Sequence, residues 1–300
     1  MKNNFTPRKR NGLEVLKVPV PKGDDHIPPP HGMGLMPIHE FTMGLIAPKG
    51  KGKTTTIINM LEIYRGYFHR IIVFSPTIKS DSKWDYIKKV PLLVENMPLK
   101  RWIMDMSAKT EINGPVQPLP LSSAFGNMID ADKKFSPFIP EEDFIHDYDD
   151  SSFRKLMEDQ KTMIDLLKDN GKLKTLGNRV LVIFDDQVGS PLFKRREYFN
   201  GINTRHRHHS ASFIMVSQGY KEIPKTVRTN WTALLLYSIG NMKELEVIYE
   251  EFPMDLNWDD WYAMYKEATK EKHDFLFLDM YAADDLYRMR KGFDQALSFA

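Results

Sequence analysis

The sequence predicts an α/β fold in which a mostly parallel central sheet is flanked by helices. Three observations predict it. Short apolar runs at residues 70–75, 180–184, 212–216 and 233–237 have the length of strands buried on both faces. Segments with apolar residues at helical spacing alternate with these runs. A further apolar run, 41–46, passes through a Gly- and Lys-rich turn into a helical stretch at 55–64. Such alternation places ligands at the carboxyl ends of the strands.

The elements follow in order. Residues 1–37 are rich in Pro, Gly and Lys, with Pro28, Pro29 and Pro30 in the middle, and read as an extended arm. A single domain is expected over 38–300. Ile57, Ile58, Leu61 and Tyr64 share one helical face, and Gly66 can close that helix. Residues 97–150 carry Pro115, Pro118, Pro120, Pro137 and Pro140, and read as an irregular insertion on the surface. Ser152 is placed to cap a helix whose apolar residues include Phe153, Leu156, Met157, Ile164 and Leu167, closing at Asn170 and Gly171. Asn241 with Glu244 has the spacing of a capping box. Asn257 opens another helix, whose Trp258, Trp261, Tyr262 and Tyr265 form an aromatic stripe that reads as core. A last strand covers 274–278, and a basic stretch follows at 288–291.

Composition narrows the classes of function. With 300 residues, 42% apolar and 27% charged, the chain is an ordinary globular sequence of one large domain or two small ones. It contains no cysteine, which excludes disulfides and thiolate-ligated zinc. No apolar run reaches 18 residues, so no membrane span is expected. Residues 1–5 lack the apolar stretch of a signal peptide, and an intracellular location is expected. Net charge is only +2, but basic residues cluster at 7–10, 194–196 and 205–209. The first cluster has the composition of a nuclear-import signal.

Chemistry concentrates in two places. The segment Ala47, Pro48, Lys49, Gly50, Lys51, Gly52, Lys53, Thr54 reads as a phosphate-binding loop, with Thr55 continuing into the helix. Its glycines let backbone N–H groups turn toward one anion, and the helix N-terminus adds its positive dipole end. Lys53 is placed for the β- and γ-phosphates and Thr54 for Mg²⁺. Ala47 stands where the G-x-x-x-x-G-K-[ST] pattern has its first glycine. Downstream, the strand at 180–184 runs into Asp185 and Asp186, the first placed to hold the metal and the second to activate water. The strand at 212–216 runs into Ser217 and Gln218, whose amide suits a sensor of the γ-phosphate or a purely structural role. An arginine finger would come from Arg205, Arg207 or Arg228, of which Arg228 follows the Gln218 strand most closely. Lys194, Arg195, Arg196, Arg205 and Arg207 suit phosphate contacts without base reading; a solvated loop is the competing reading.

The order of these motifs resembles the poxvirus-type genome-packaging ATPases of the FtsK–HerA superfamily. The carriers are residues 47–54, then Ile183-Phe184-Asp185-Asp186, then Met215-Val216-Ser217-Gln218 and the run Ile223-Pro224-Lys225-Thr226-Val227-Arg228-Thr229-Asn230. The resemblance covers residues 38–300 and omits the arm. It implies a RecA-like P-loop fold and an ATPase with ATP and Mg²⁺ as cofactors. Its implied partners are double-stranded DNA, capsid or portal-vertex proteins and copies of itself in a pentameric or hexameric ring. The site is the cytoplasm, virus factory or nucleus of an infected cell, or the virion. By position, Lys53 and Thr54 bind nucleotide and metal, Asp185 holds Mg²⁺, Asp186 activates water and Gln218 senses. Asp186 stands where many superfamily members have Glu. The other functions open to this sequence are a helicase or replication ATPase, and a nucleotide-binding capsid component that is no motor.

Overall fold

The computed structural model describes residues 28–94, 97–112, 138–187, 189–190, 192 and 196–298. The basic run at 7–10, four of the insertion's prolines (Pro115, Pro118, Pro120 and Pro137), Lys194 and Arg195 lie outside the described residues. The strands are β1 Thr42–Ile46, β2 Arg70–Phe74, β3 Phe144–Ile145, β4 Val180–Asp185, β5 Ala211–Ser217, β6 Ala233–Tyr237, β7 Phe275–Asp279, β8 Met289–Lys291 and β9 Gln295–Ala296. They form one sheet in the order β3-β2-β4-β5-β1-β6-β7-β8-β9. From β3 to β6 in that order every pairing is parallel, and from β6 to β9 every pairing is antiparallel. The helices are α1 Lys53–Ile63, α2 Lys83–Ile87, α3 Met97–Ile112, α4 Asp150–Asp169, α5 Leu173–Leu176, α6 Arg196–Thr204, α7 Lys225–Arg228, α8 Met242–Glu251 and α9 Trp258–Ala268. The mixed α/β class expected from the alternation is the one observed.

Side chains on a strand alternate between faces, so each central strand feeds two cores. Val182 and Phe184 of β4 pack with Phe153 and Met157 of α4, Phe199 of α6, Leu245 of α8 and Trp261 of α9. Leu181 and Ile183 pack on the other face with Ile57, Met60 and Leu61 of α1 and Trp84 of α2. Burying both faces is what makes these strands read as unbroken apolar runs.

The sheet is mostly parallel, as expected, and the alternation of strands and helices gave no sign of where its antiparallel end begins. One crossover helix returns a chain to the edge where its strand began, and the next strand then runs parallel. Between β6 and β7 the chain makes two helices, α8 and α9. The second returns it to the carboxyl edge, and β7 starts there and runs backward, with Tyr237 opposite Phe275 and Ala233 opposite Asp279.

Other details differ locally. The side chain capping α4 is Asp149, which accepts from the Ser152 N–H at 2.8 Å, not that of Ser152. Asn241 caps α8 by position but makes no side-chain cap bond, and Glu244 instead accepts from the Lys221 N–H at 2.9 Å. The described parts of the insertion, 97–112 and 138–150, pack on the domain. Leu99 and Ile103 of α3 pack on Met163 and Leu167 of α4, and β3 joins the sheet edge. There the Arg70 guanidinium holds the buried Asp143 carboxylate at 2.7 Å. Residues 28–37 also pack on the domain: Met36 is buried, and the Leu35 and Pro37 carbonyls accept from Arg290 and Tyr64. The aromatic stripe on α9 is core, with Trp261 and Tyr265 buried and Trp258 stacked on Trp261.

Gly44 sits in the middle of β1 because Trp231 occupies the space above it. A Cβ there would lie 2.4 Å from the indole ring. Overpacking of this kind costs about 1–3 kcal/mol. Gly44→Ala is therefore expected to lower the thermal unfolding midpoint by several degrees, measured by circular dichroism or calorimetry.

Candidate functional site

Parallel register brings four strand ends level at one edge. Phe74 lies opposite Phe184, Asp185 opposite Val216, and Ser217 opposite Ile46. The segments leaving β2, β4, β5 and β1 carry Ser75, Asp185–Asp186, Gln218 and the phosphate loop.

The loop is anchored where it leaves β1, with the Ala47 N–H donating to the Ser217 carbonyl at 3.0 Å. Two left-handed residues then shape it, Gly50 at φ 79° and Gly52 at φ 99°. A side chain would strain both positions. Gly52 is the N-cap of α1, where it makes no side-chain cap bond, and the first turn carries no acidic residue. The helix thus opens onto the loop with donors that no carboxylate of its own satisfies, which suits an external anion. Lys53 and Thr54, the first two helical residues, are half-buried, while Lys49 and Thr55 are exposed. The Thr56 hydroxyl bonds the Gly52 carbonyl at 3.3 Å within the first turn and ties the helix to the sheet through the Tyr237 hydroxyl.

Asp185 is the carboxylate that this edge buries, at 3% exposure. Alternation along β4 puts it on the same face as Ile183, the face that carries α1. Lys53 and Asp185 therefore share one edge and one face. Burial pushes the Asp185 pKa up to about 6, with the Ser75 hydrogen bond opposing that rise, Asp186 adding to it and Lys53 opposing it. Ser75 donates to Asp185 Oδ2 at 2.8 Å and lies 3.0 Å from the Thr77 hydroxyl. Sequence reading did not assign Ser75 to the site. Its position directly after an apolar strand was the available signal, but only the register shows which carboxylate it meets.

Asp186 leaves the strand at φ 50°, a left-handed conformation that Asp tolerates better than most residues. Its N–H donates to the Val216 carbonyl at 3.1 Å, and its carboxylate accepts from Gln218 Nε2 at 3.2 Å. The turn breaks the alternation of the strand and aims the second carboxylate at the neighbouring strand's amide.

A magnesium ion fits this donor set. Mg²⁺ commonly takes one or two carboxylates together with substrate phosphates and keeps several waters. Asp185 is a buried carboxylate whose ionised form lacks full compensation, and the Thr54 hydroxyl belongs to the loop at the same edge.

Arg228 requires a correction. It is 6% exposed, and its guanidinium is held by Glu251 at 2.9 Å and by the Ile223 carbonyl at 2.6 Å, over the Tyr220 ring. Committed to these partners, it is not free to act as an arginine finger. It locks the segment after Gln218 onto α8. In the same segment Glu222 accepts from the Ser217 hydroxyl at 2.6 Å and from the Gly219 N–H at 2.9 Å.

Arg205 and Arg207 are exposed, but they precede β5 and so sit at the amino edge. One strand length, about 20 Å, separates them from the phosphate loop of their own chain. Arg205 lines a groove of about 530 Å³ with Glu158, Lys161, Tyr198, His208 and His209. Burial lowers the His209 pKa; its bond to the Met157 carbonyl opposes this, and Lys161, His208 and Arg205 add to the lowering. Arg196 begins α6.

The fold and site define a P-loop α/β protein with an acid pair on the strand next but one to the loop. Residues 143–277 match the family model described as Poxvirus A32 protein. The likeness to the poxvirus-type packaging ATPases holds over that span, which contains Asp185, Asp186, Gln218 and Arg228 but not the phosphate loop. No curated protein sequence matches the chain. Among solved structures, the genome packaging NTPase B204 from Sulfolobus turreted icosahedral virus 2, in complex with ATP-γS, is 12% identical over 86% of this chain and 98% of that one, at a TM-score of 0.49. B204, the DNA-packaging ATPase from Sulfolobus turreted icosahedral virus, is 15% identical over 80% and 92%, at 0.45. The pCW3 conjugation coupling protein TcpA, with ATPγS, is 11% identical over 85% and 60%, at 0.41.

The raised Asp185 pKa carries a stability consequence. The folded chain binds this proton more tightly than the unfolded chain, so the group costs stability as pH rises from 3.8 to about 6. A rise of this size corresponds to about 3 kcal/mol. Without added divalent cation, Asp185→Asn is expected to unfold at a higher temperature than wild type at pH 7.5 and with little difference at pH 4. Thermal melts of both proteins at the two pH values check this.

Proposed function

We propose that this chain is a Mg²⁺-dependent ATPase that moves double-stranded DNA into a preformed viral capsid, acting as a homo-oligomeric ring of five or six copies. The observation that carries the ATPase part is the convergence of Lys53, Asp185, Asp186 and Gln218 at one edge. The A32 match over the acid-pair half of the site favours a packaging role.

In the proposed reaction the loop N–H groups and Lys53 hold the β- and γ-phosphates. Bound Mg²⁺, on Thr54 and Asp185, would neutralise charge on the phosphate oxygens. Asp186 orients a water and takes its proton as the water oxygen bonds to the γ-phosphorus. The bond from that phosphorus to the β–γ bridging oxygen breaks, and the electron pair leaves with ADP. Gln218, held against Asp186, is placed to register the loss of the γ-phosphate. The segment after it is tied to α8 through Lys221–Glu244 and Arg228–Glu251, so a shift at Gln218 has a rigid body to move. That linkage favours a motor over a passive nucleotide-binding capsid component.

Since Arg228 is committed elsewhere and Arg205 and Arg207 sit at the far edge, an arginine finger is best supplied by a neighbouring subunit. The groove beside Arg205 and the exposed Arg207 are the proposed DNA-contacting surface. The proposed location is the interior of an infected cell. Among the described residues no helix is long and apolar enough to cross a membrane.

The deciding assay is ATP turnover with and without double-stranded DNA, scored together with assembly state. Stimulation by single strands with unwinding would favour the helicase reading, and nucleotide binding without turnover the non-motor one. Asn, like Asp, tolerates the left-handed turn, so Asp186→Asn is expected to keep nucleotide binding and lose about 10²-fold or more of turnover. Equal turnover would remove Asp186 from its role. Replacing Arg205 and Arg207 together by Ala should weaken DNA binding and reduce the slope of log K against log salt by about 1–2. An unchanged slope assigns that surface elsewhere.

A further inference from the structure

We infer that His273 is a positioning residue for the phosphate loop, acting from the turn that precedes the strand the fold reverses. His273 Nδ1 lies 3.0 Å from the Lys51 carbonyl oxygen, a contact across 222 residues of sequence. A carbonyl can only accept, so Nδ1 carries the proton and donates. The same nitrogen lies 3.4 Å from the position a Cβ would take on Gly52. The imidazole therefore packs against the turn made by Lys51 and Gly52.

The consequence follows from peptide planarity. In a trans peptide the C=O of one residue and the N–H of the next point in opposite directions. Fixing the Lys51 carbonyl toward His273 fixes the Gly52 N–H away from it. Gly52, at φ 99°, has no side chain to hold that plane in place. A flip of the Lys51–Gly52 peptide would turn a carbonyl oxygen where a phosphate needs a donor. His273 opposes that flip from outside the loop and leaves the phosphate side open.

The turn that carries His273 is itself held. Asp274 accepts from Lys291 at 2.8 Å, and its N–H donates to the Glu271 carbonyl at 3.2 Å, which ties the turn before β7 to β8. This turn reaches the phosphate-loop edge because α8 and α9 together bring the chain back to it.

The inference rests on the nucleotide reading, and the test separates the two. Full-length wild type, His273→Ala, His273→Leu and His273→Asn are titrated with a fluorescent ATP analogue, with inorganic tripolyphosphate as competitor, and assayed for kcat and KM; thermal melts check folding. Asn places an amide donor where His has Nδ1. The expected result is about fivefold weaker binding of both ligands in the Ala and Leu variants, the loss of one neutral hydrogen bond. KM rises in step, kcat stays within twofold, and Asn restores wild-type binding. If wild type binds neither ligand, the nucleotide reading fails and takes this inference with it. If wild type binds and the Ala and Leu variants bind equally well, the inference alone fails. Weaker ATP binding with unchanged tripolyphosphate binding also overturns it, because the histidine would then serve the nucleoside. So does a deficit that Asn leaves unrepaired.

Discussion

A carboxylate buried at the end of a strand sets the terms for this edge of the molecule. Asp185 is nearly solvent-free, and burial alone drives it toward its neutral form. Ser75 and Lys53 oppose that drift only in part. The uncompensated remainder is a local cost, and a divalent cation with its phosphates is the kind of ligand that relieves it. The parallel register of β2, β4, β5 and β1 is what makes the arrangement possible, because it ends four strands level and lets their first loop residues meet.

Left-handed backbone is concentrated at the same edge. Gly50, Gly52 and Asp186 all take left-handed backbone within the segments that leave β1 and β4. In the loop glycine takes this backbone without a steric cost. At Asp186 it breaks the two-residue period, so that successive carboxylates serve different partners. Asp185 stays on the α1 face, while Asp186 meets Gln218.

Rigid links run outward from this edge on two sides. After Gln218, the Lys221 N–H and the Arg228 guanidinium bind the chain to Glu244 and Glu251 of α8. From the other side, the turn before β7 brings His273 onto the Lys51 carbonyl. Both links depend on elements far from the loop in sequence, and both pass through α8 or through the reversal that α8 and α9 produce.

Local chemistry was legible in the chain itself. Apolar runs marked the six longest strands to within a residue or so, because strands buried on both faces carry few polar residues. Glycine spacing before Lys53 and Thr54 marked the loop, because few other residues allow that backbone. The pair Asp185–Asp186 at the end of β4 marked the acidic side. Tertiary structure alone decided the rest. Arg228 read as a free cation, yet it faces Glu251 because α7 and α8 pack together. Ser75 and His273 carried no motif, and pairing register and strand direction bring them to the site. Spacing along a chain reports which backbone a residue favours. Which groups face one another across 110 or 222 residues is settled by how the sheet is assembled.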